Sequence, residues 1–471
     1  MRCKMNCQPE LDFQPSNLKI TNEYYEKYEA VSRTLDENPG IVDLMHEDLK
    51  DALKSSTTKD RNGRKFQYTS DTVLRVLICQ IIEGLSLRGI VVRIDDSHFL
   101  RQFVRIYSNG PMMDFTTLCK LKNCISPKTW KKVNGTLAQY AVEESLIEGD
   151  QLRLDTTAVE TNIHWPTDSS LLWDTYRVLA RLIEDGRDLD PAAVGNRRLQ
   201  TKKAKRLYTK ISRKASKNPE SQEKLKPLYQ RLIELTSGIC QWSEQVCEAL
   251  EQGCRTGRYN VLEQAEAASI AEEIAHYRQL GLWVIEQASR RVLDGEQVPN
   301  DEKLFSIFEP HTELLKRGKA ARPIEFGHMI QIQQVAGKFI TDYDVFEKKP
   351  VEHELIQSAL ESHEELFGQY PESIAADKGY YESMETIKEL SETIDVVSIA
   401  KKGRRTEKEV LREMDPDFRF AQRFRAGVEG TISYLKRILG LFRCLNKGWE
   451  HYVSTVGAAV FTHNVLILTR L

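Results

Sequence analysis

The sequence predicts an α/β protein in which a mixed sheet is preceded by an all-α region and interrupted by a long helical insertion. From about residue 41 to 140, apolar residues recur at spacings of three and four, which is typical of amphipathic helices. From 171 to 293, Glu, Gln, Ala, Lys and Leu dominate, and no strand pattern occurs. Alternation typical of strands occurs around residue 155 and again after Pro323.

These patterns divide the chain into four parts. The first contains three prolines among residues of mixed polarity, so we expect an irregular N-terminal arm. A helical domain follows, and the strand patterns then mark a core that the helical insertion interrupts. The predicted boundaries are 1–40 for the arm, 41–148 for the helical domain, 149–170 and 301–471 for the core, and 171–300 for the insertion.

Within the core, each element is predicted from its own pattern. Leu152 and Leu154 alternate with charged residues in the first strand, which we place at 151–159. After the insertion, segments in which apolar residues recur at every second position alternate with segments in which they recur at every third or fourth. They predict strands at 324–335 and 339–346, a helix at 351–367, a short strand ending at Asp377, a helix at 383–392, a strand at 395–400 and a helix around 425–439.

Composition excludes several classes of protein. Hydrophobic content of 41% and charged content of 29% are typical of a globular chain and not of a disordered one. No run approaches the roughly 20 apolar residues of a membrane span, and the N-terminus lacks the apolar segment of a secretory signal. Nine scattered cysteines favour a reducing compartment over a disulfide framework. We therefore expect a cytoplasmic protein without a membrane partner.

Positive charge is clustered, although the formal net charge is −2. Ten Lys or Arg residues and no acid occur between Asn196 and Lys217, and two smaller clusters lie at 316–322 and 401–405. One such cluster is more often a solvated helix face than a binding surface. Three together favour contact with phosphates, and the residues that we select from the first cluster are Arg197, Arg198, Lys202 and Lys203.

A carboxylate between two cations marks the predicted helix near the C-terminus. Arg425 and Glu429 are i,i+4 neighbours on a helix, and Lys436 lies two turns further along the same face. Val428, Ile432, Leu435 and Leu439 form a separate apolar stripe. A surface ladder of salt bridges would look the same, so this helix indicates a site only together with other acids.

Two aspartates supply those acids. Asp155 lies on the first predicted strand, where an unpaired charge is costly to bury. Asp377 ends a short apolar strand and precedes the turn Lys378-Gly379, and α/β sheets often bind ligands at such strand ends. Three carboxylates on two strands and a late helix fit two-metal phosphoryl transfer, in which Mg²⁺ ions about 3.5–4 Å apart stabilise the attacking and leaving oxygens.

These motifs resemble those of the DDE transposases of bacterial insertion sequences, which have a ribonuclease-H-like core. The resemblance rests on Asp155-Thr-Thr157, on Ala376-Asp377-Lys378-Gly379-Tyr380, and on Arg425-x₃-Glu429-x₆-Lys436, and it extends from about Leu74 to Leu471. Some relatives have Tyr three residues before the Arg, where this chain has Gln422. The predicted order of elements is that of the ribonuclease H fold with an insertion after the first strand.

The resemblance implies a function and a set of site residues. Asp155, Asp377 and Glu429 would be catalytic and would hold two Mg²⁺ or Mn²⁺ ions, while Arg425 and Lys436 would contact DNA. Lys378 and Trp165 join the expected DNA-binding set, although a structural loop around His164, Trp165 and Asp168 is the simpler interpretation. The helical domain would bind transposon ends, mediate dimer contacts, or serve as a structural cap. The expected partners are double-stranded DNA, both transposon ends and target, and a second copy of the chain, at the bacterial nucleoid.

Two alternatives remain open. One is a ribonuclease-H-like nuclease that acts on RNA–DNA hybrids or on repair junctions, against which the length of the helical parts argues. The other is a non-catalytic DNA-binding protein derived from a transposase. Loss of a carboxylate would be typical of the second, and all three carboxylates are present.

Overall fold

The chain forms two compact units, which we describe separately. A computed structural model describes residues 16–50, 52, 68–106, 110–214, 218–316 and 323–470. The first unit comprises Met1–Thr161 and Gly327–Leu471, and the second comprises Asn162–Phe326. The second unit therefore corresponds to an extended form of the predicted insertion.

Seven helices occur among the described residues of the N-terminal region of the first unit. Ser, Thr or Asp side chains accept backbone N–H bonds at the start of five of them, as Thr69 does from Thr72 and Ser126 from Thr129. The helices are α1 (Lys19–Glu37), α2 (Pro39–Leu49), α3 (Ser70–Ile82), α4 (Leu87–Asp96), α5 (His98–Phe103), α6 (Phe115–Asn123) and α7 (Pro127–Glu143).

The expectation of an irregular arm at 1–40 is wrong for its described part. Residues 1–15 lie outside the described residues, but α1 occupies most of the rest. Tyr28, Val31 and Leu35 recur at helical spacing and are fully buried or nearly so. Pro39 does not interrupt a helix but begins α2, where the N–H that proline lacks has no intrahelical partner in any case.

The first strand and the long insertion follow. Cys240, Cys247 and Cys254 lie on one helix, with Cys240 buried and the other two packed against the same core. The elements are β1 (Gln151–Thr161), α8 (Asp168–Leu189), α9 (Pro191–Val194), α10 (Thr201–Lys214), α11 (Pro219–Arg255), α12 (Val261–Ala288), a π-helical turn (Ser289–Leu293) and β2 (Glu313–Lys316).

The remaining strands and helices complete the sheet of the first unit. Short 3₁₀ turns at Ala336–Lys338, Glu352–Glu354 and Lys378–Tyr380 connect several of them. The elements are β3 (Ile324–Gln334), β4 (Ile340–Val345), α13 (Leu355–Phe367), β5 (Ser373–Ala376), α14 (Met384–Leu390), β6 (Val396–Ile399), α15 (Glu407–Met414), α16 (Pro416–Arg437), β7 (Arg443–Cys444) and α17 (Trp449–Leu468).

The sheet is mixed, as predicted. Five of its strands run in the order β4, β3, β1, β5, β6, and β2 also pairs with β3. β3 pairs antiparallel with both β4 and β1, whereas β1 pairs parallel with β5, and β5 parallel with β6. β7 adds a short parallel pairing at the end of β1. The fold is therefore α/β with a mixed sheet.

The sheet and the N-terminal helices share one hydrophobic core. Trp130 of α7, Ile330 of β3 and Phe461 of α17 all belong to it. α17 has no counterpart among the predicted elements, because it is apolar on nearly all sides and so lacks the stripe that marks a surface helix. His328 of β3 is fully buried, and its ring packs against Trp449 and Tyr452.

α15 lies along the outer side of β6, the last strand of the sheet. The guanidinium group of Arg412 donates to the carbonyl oxygens of Val397 (3.2 Å) and Ile399 (2.6 Å). Val410, Leu411 and Met414 on the same helix are exposed. The charged face of α15 therefore packs inward, and its apolar face points to solvent.

Asn464 of α17 provides a test of this packing. Its side chain is fully buried, donates to the carbonyl of Ile340 at 2.7 Å and accepts from the N–H of Ile340 at 3.0 Å. Asn464→Leu keeps the size but leaves two buried backbone groups unpaired, each at a cost of about 1–3 kcal/mol. We expect the free energy of unfolding in urea to fall by about 2–4 kcal/mol. The exposed Asn123→Leu should change it by less than about 0.5 kcal/mol.

Candidate active site

The pairing of β1 with β5 brings two of the predicted acids together. In this parallel pair Leu154 lies opposite Ala376, so the next residues are neighbours: Asp155 in the middle of β1 and Asp377 directly after the end of β5. Adjacent strands lie about 4.8 Å apart, and paired residues share one face of the sheet. Asp155 is largely buried and accepts from the N–H of Thr156 at 2.8 Å, whereas Asp377 is exposed.

A buried arginine fixes α16 against this part of the sheet. Arg153 of β1 donates through Nε to Oε1 of Gln334 on β3 (2.8 Å) and through Nη1 to the carbonyl of Phe424 on α16 (2.6 Å). Gly427 makes the close approach possible, since a Cβ there would lie 2.4 Å from Nη1 of Arg153. Gln422 adds a bond to the carbonyl of Ser398 at 2.5 Å. These contacts hold α16 beside the ends of β5 and β6.

Arg425 then lies between two of the acids. Its Nη1 is 3.8 Å from Oδ2 of Asp155, and its Nη2 is 3.5 Å from Oε1 of Glu429. The Glu429 side chain is 70% exposed. Among the described residues, the buried Nε of Arg425 has no hydrogen-bond partner. The guanidinium group therefore neutralises both carboxylates through long contacts and not through close bidentate bonds.

The acids act on one another electrostatically. Burial raises the pKa of Asp155 to about 6; Arg425 opposes this rise, and the negative charges of Asp377 and Glu429 add to it. Burial also raises the pKa of Tyr380 well above its ordinary value, and the charges of Asp155, Glu352 and Asp377 contribute. The predicted acids therefore belong to one electrostatic cluster, which also includes Glu352.

Glu352 and Arg153 are the residues of this region that we do not predict from the sequence. Glu352 precedes α13 and accepts from the hydroxyl of Thr156 at 2.6 Å. It lies in an acidic segment in which nothing distinguishes it from its neighbours. Arg153 could have been noticed as a charge on an apolar strand, but its burial depends on α16 covering that face.

The donor chemistry of the cluster fits a hard divalent cation. Carboxylate oxygens are the ligands that Mg²⁺ and Mn²⁺ prefer. Burial is the main cause of the raised pKa of Asp155, and a cation would offset the smaller contribution from the negative charges of Asp377 and Glu429. In the described part of the chain, no three His, Cys, Asp or Glu side chains already lie close enough to hold a metal ion. Asp155 and Asp377 are adjacent, and Glu429 is engaged by Arg425.

The other predicted residues occupy different places. Lys378 is exposed directly after Asp377, and Lys436 is half-buried on α16. In the second unit, Trp165 is 66% exposed with an edge-to-face contact to Phe326, and Lys202 and Lys203 lie on the exposed face of α10.

Within that unit some of these side chains are already engaged. The guanidinium of Arg197 lies 5.2 Å from the Trp242 ring centre, and Arg198 is exposed. His164 pairs with Asp174 at 2.7 Å, and Asp168 with Arg291 at 2.9 Å, as in a structural loop. Residues 317–322 of the second basic cluster lie outside the described residues. Among the described residues, no helix is both long and apolar enough to cross a membrane.

The raised pKa of Asp155 predicts a pH-dependent effect of its charge. Ionised Asp155 destabilises the fold above about pH 6. The effect disappears as the pH falls towards about 3.9, which is the ordinary pKa of an aspartate side chain. In EDTA, Asp155→Asn should therefore raise the melting temperature by a few degrees at pH 7.5 and by much less at pH 4.5. The exposed Asp395→Asn should show no such difference. Equal melting temperatures for the wild-type protein and Asp155→Asn at pH 7.5 would contradict the argument.

Two glycines of α16 test the close approach of Arg153. No atom lies within 4 Å of a Cβ built on Gly430, so Gly430→Ala should stabilise the helix by up to about 1 kcal/mol. Gly427→Ala should instead lower the free energy of unfolding by about 1–3 kcal/mol, because the methyl group displaces a side chain held by several hydrogen bonds. Similar urea midpoints for the two variants would show that Arg153 does not fix the helix.

Comparison with known proteins bears on the N-terminal helices. Residues 24–124 match the model of a family described as "Transposase domain (DUF772)", a range that begins within α1 and includes α6. Comparisons with curated proteins and with solved structures found no match. The N-terminal part of the chain is thus similar to a transposase domain, and this similarity supports a transposase role for the protein.

Proposed function

We propose that the protein is a DDE transposase that cleaves DNA at the ends of a mobile element and joins those ends to target DNA. The observation that carries this proposal is the placement of Asp155 beside Asp377, with Arg425 and Glu429 of α16 facing them. The order and directions of the five main strands support a ribonuclease-H-like core, in which the insertion follows the first strand. The transposase-domain match provides independent support.

In this scheme Asp155 and Asp377 would hold Mg²⁺ or Mn²⁺, and Glu429 would complete the set of ligands. Two such cations, when bound, supply Lewis-acid stabilisation to the attacking and leaving oxygens at phosphorus. Arg425 is the counterion of Asp155 and Glu429 in the protein alone. With divalent cations bound to the acids, the guanidinium group of Arg425 would be free to bind a DNA phosphate.

The remaining positive side chains would bind the DNA backbone. Lys378 next to Asp377 and Lys436 on α16 are close in sequence to the acids, and we assign them to the scissile region. The exposed face of α10, with Lys202 and Lys203, together with Arg197 and Arg198, would contact phosphates elsewhere on the duplex. The exposed indole of Trp165 provides a surface on which a base could stack. Two copies of the chain would act together, one at each end of the element, at the bacterial nucleoid.

Strand cleavage tests the proposal directly. The substrate is labelled duplex DNA that carries the terminal repeats flanking the gene, incubated with Mg²⁺, Mn²⁺ or EDTA. We expect nicking at the element boundary that requires the metal. Asp155→Asn, Asp377→Asn and Glu429→Gln should each reduce it by about 100-fold or more, because replacing even the supporting partners of metal ligands costs 10–100-fold.

Matched measurements separate the alternatives. Band-shift affinity for the same DNA should change little in the three variants, and the exposed Asp395→Asn should cleave like the wild-type protein. Binding without cleavage in the wild-type protein would favour the non-catalytic DNA-binding protein. Cleavage confined to RNA–DNA hybrids or junctions would favour the nuclease. Full cleavage by Asp377→Asn would remove the assignment of the acids.

A further inference from the structure

Glu352 is the fourth carboxylate of the cluster, and both of its oxygens face other parts of the chain. It lies in the 3₁₀ turn before α13 and is half-buried. Its Oε1 accepts from the hydroxyl of Thr156 at 2.6 Å, within the range of a charge-assisted O–H···O⁻ bond. Thr156 directly follows Asp155 on β1. One oxygen of Glu352 is therefore bonded to the residue next to the first acid.

The second oxygen lies against the turn that follows the other aspartate. A Cβ built on Gly379 would be 1.5 Å from Oε2 of Glu352, so only glycine lets the carboxylate pack onto this backbone. The turn is closed by a bond from the N–H of Tyr380 to the carbonyl of Asp377 (3.0 Å). A single side chain thus contacts the segments that carry Asp155 and Asp377.

Two further residues extend this contact across the sheet. Gln331 of β3 lies opposite Thr156 in the antiparallel register, so both side chains point to the same face. The amide of Gln331 donates to the phenol oxygen of buried Tyr380 at 3.3 Å. Buried Thr156, Gln331 and Tyr380 and half-buried Glu352 therefore form a polar group on the face of the sheet opposite the Asp155 side chain.

We propose that Glu352 is a positioning residue that holds the Asp155 strand and the Asp377 turn in a fixed relation. The inference rests on the proposed function, for which that relation sets the geometry of the metal ligands. Glu352 acts through Thr156 and Gly379 and does not need to touch a metal or DNA. Loss of such supporting contacts in metal sites reduces metal affinity by about 10–100-fold.

Paired variants isolate the contact. Thr156→Val removes the hydroxyl donor at nearly constant volume, and Thr156→Ser keeps it. Glu352→Ala removes the carboxylate, while Glu352→Gln keeps an oxygen that can accept from Thr156. Gly379→Ala displaces the carboxylate from the opposite side. A circular-dichroism melt of each variant verifies folding.

Two measurements on the full-length protein are needed. The first is hydrogen exchange of the Tyr380 and Tyr381 amides, which bond to the carbonyls of Asp377 and Lys378. The second is Mn²⁺ affinity by calorimetry. We expect Thr156→Val, Glu352→Ala and Gly379→Ala to exchange about tenfold faster and to bind Mn²⁺ about 10–100-fold more weakly. Thr156→Ser and Glu352→Gln should exchange within about twofold of the wild-type rate.

The outcomes separate this inference from the proposed function. Unchanged exchange in folded Thr156→Val and Glu352→Ala would overturn the positioning role, whatever the metal result. Faster exchange with unchanged Mn²⁺ affinity would also overturn it, since the contact would then not set the ligand geometry. Faster exchange in a protein whose wild-type form neither binds Mn²⁺ nor cleaves DNA would support the structural coupling and reject the proposed function.

Discussion

The arrangement of the site depends on one buried guanidinium group, that of Arg153. It joins β1, β3 and α16, three segments far apart in sequence, through bonds to Gln334 and to the carbonyl of Phe424. Burial lowers the pKa of Arg153 to about 10, so the group remains charged at neutral pH. Its hydrogen bonds offset part of the cost of desolvating that charge. Arg425 follows Phe424 directly, so the same contact that anchors the helix also directs the next cation towards Asp155.

The carboxylates of the site differ in how firmly the fold holds them. Asp155 is buried on a central strand, Asp377 is exposed at a strand end, and Glu429 extends from a helix surface. Arg425 balances part of their charge and so reduces their mutual repulsion when no divalent cation is bound. Because the contacts of Arg425 with Asp155 and Glu429 are long, another positive charge can replace Arg425 as their counterion at little cost. The fold therefore constrains Asp155 closely, whereas the exposed side chains of Asp377 and Glu429 can adjust to a bound ligand.

The sequence predicts the elements of the core better than it predicts their neighbours. Strand alternation and helical periodicity are local signals, and they predict β1, β3 and β4 close to their observed bounds. They also predict the C-terminal half of α16, but this helix begins at Pro416, well before the predicted start near residue 425. The sequence does not predict α1, because the prolines of this segment indicate irregular structure despite the helical spacing of Tyr28, Val31 and Leu35. α17 was missed because a helix that is buried all round has no polar face to reveal it. The burial of Arg153 and the contacts of Glu352 arise from strand register and helix docking, which no local pattern contains.

The placement of Arg412 has a consequence for how molecules of this protein can meet. The outermost strand of a sheet usually offers free carbonyl and N–H groups to which a strand from another chain can add. Here the carbonyls of Val397 and Ile399 already accept from Arg412, and α15 occupies the space beside β6. The sheet therefore cannot be extended from β6 by backbone pairing, which protects this boundary against amyloid-like growth. A protein that approaches from this side meets the side chains of Val410, Leu411 and Met414 and not an open backbone.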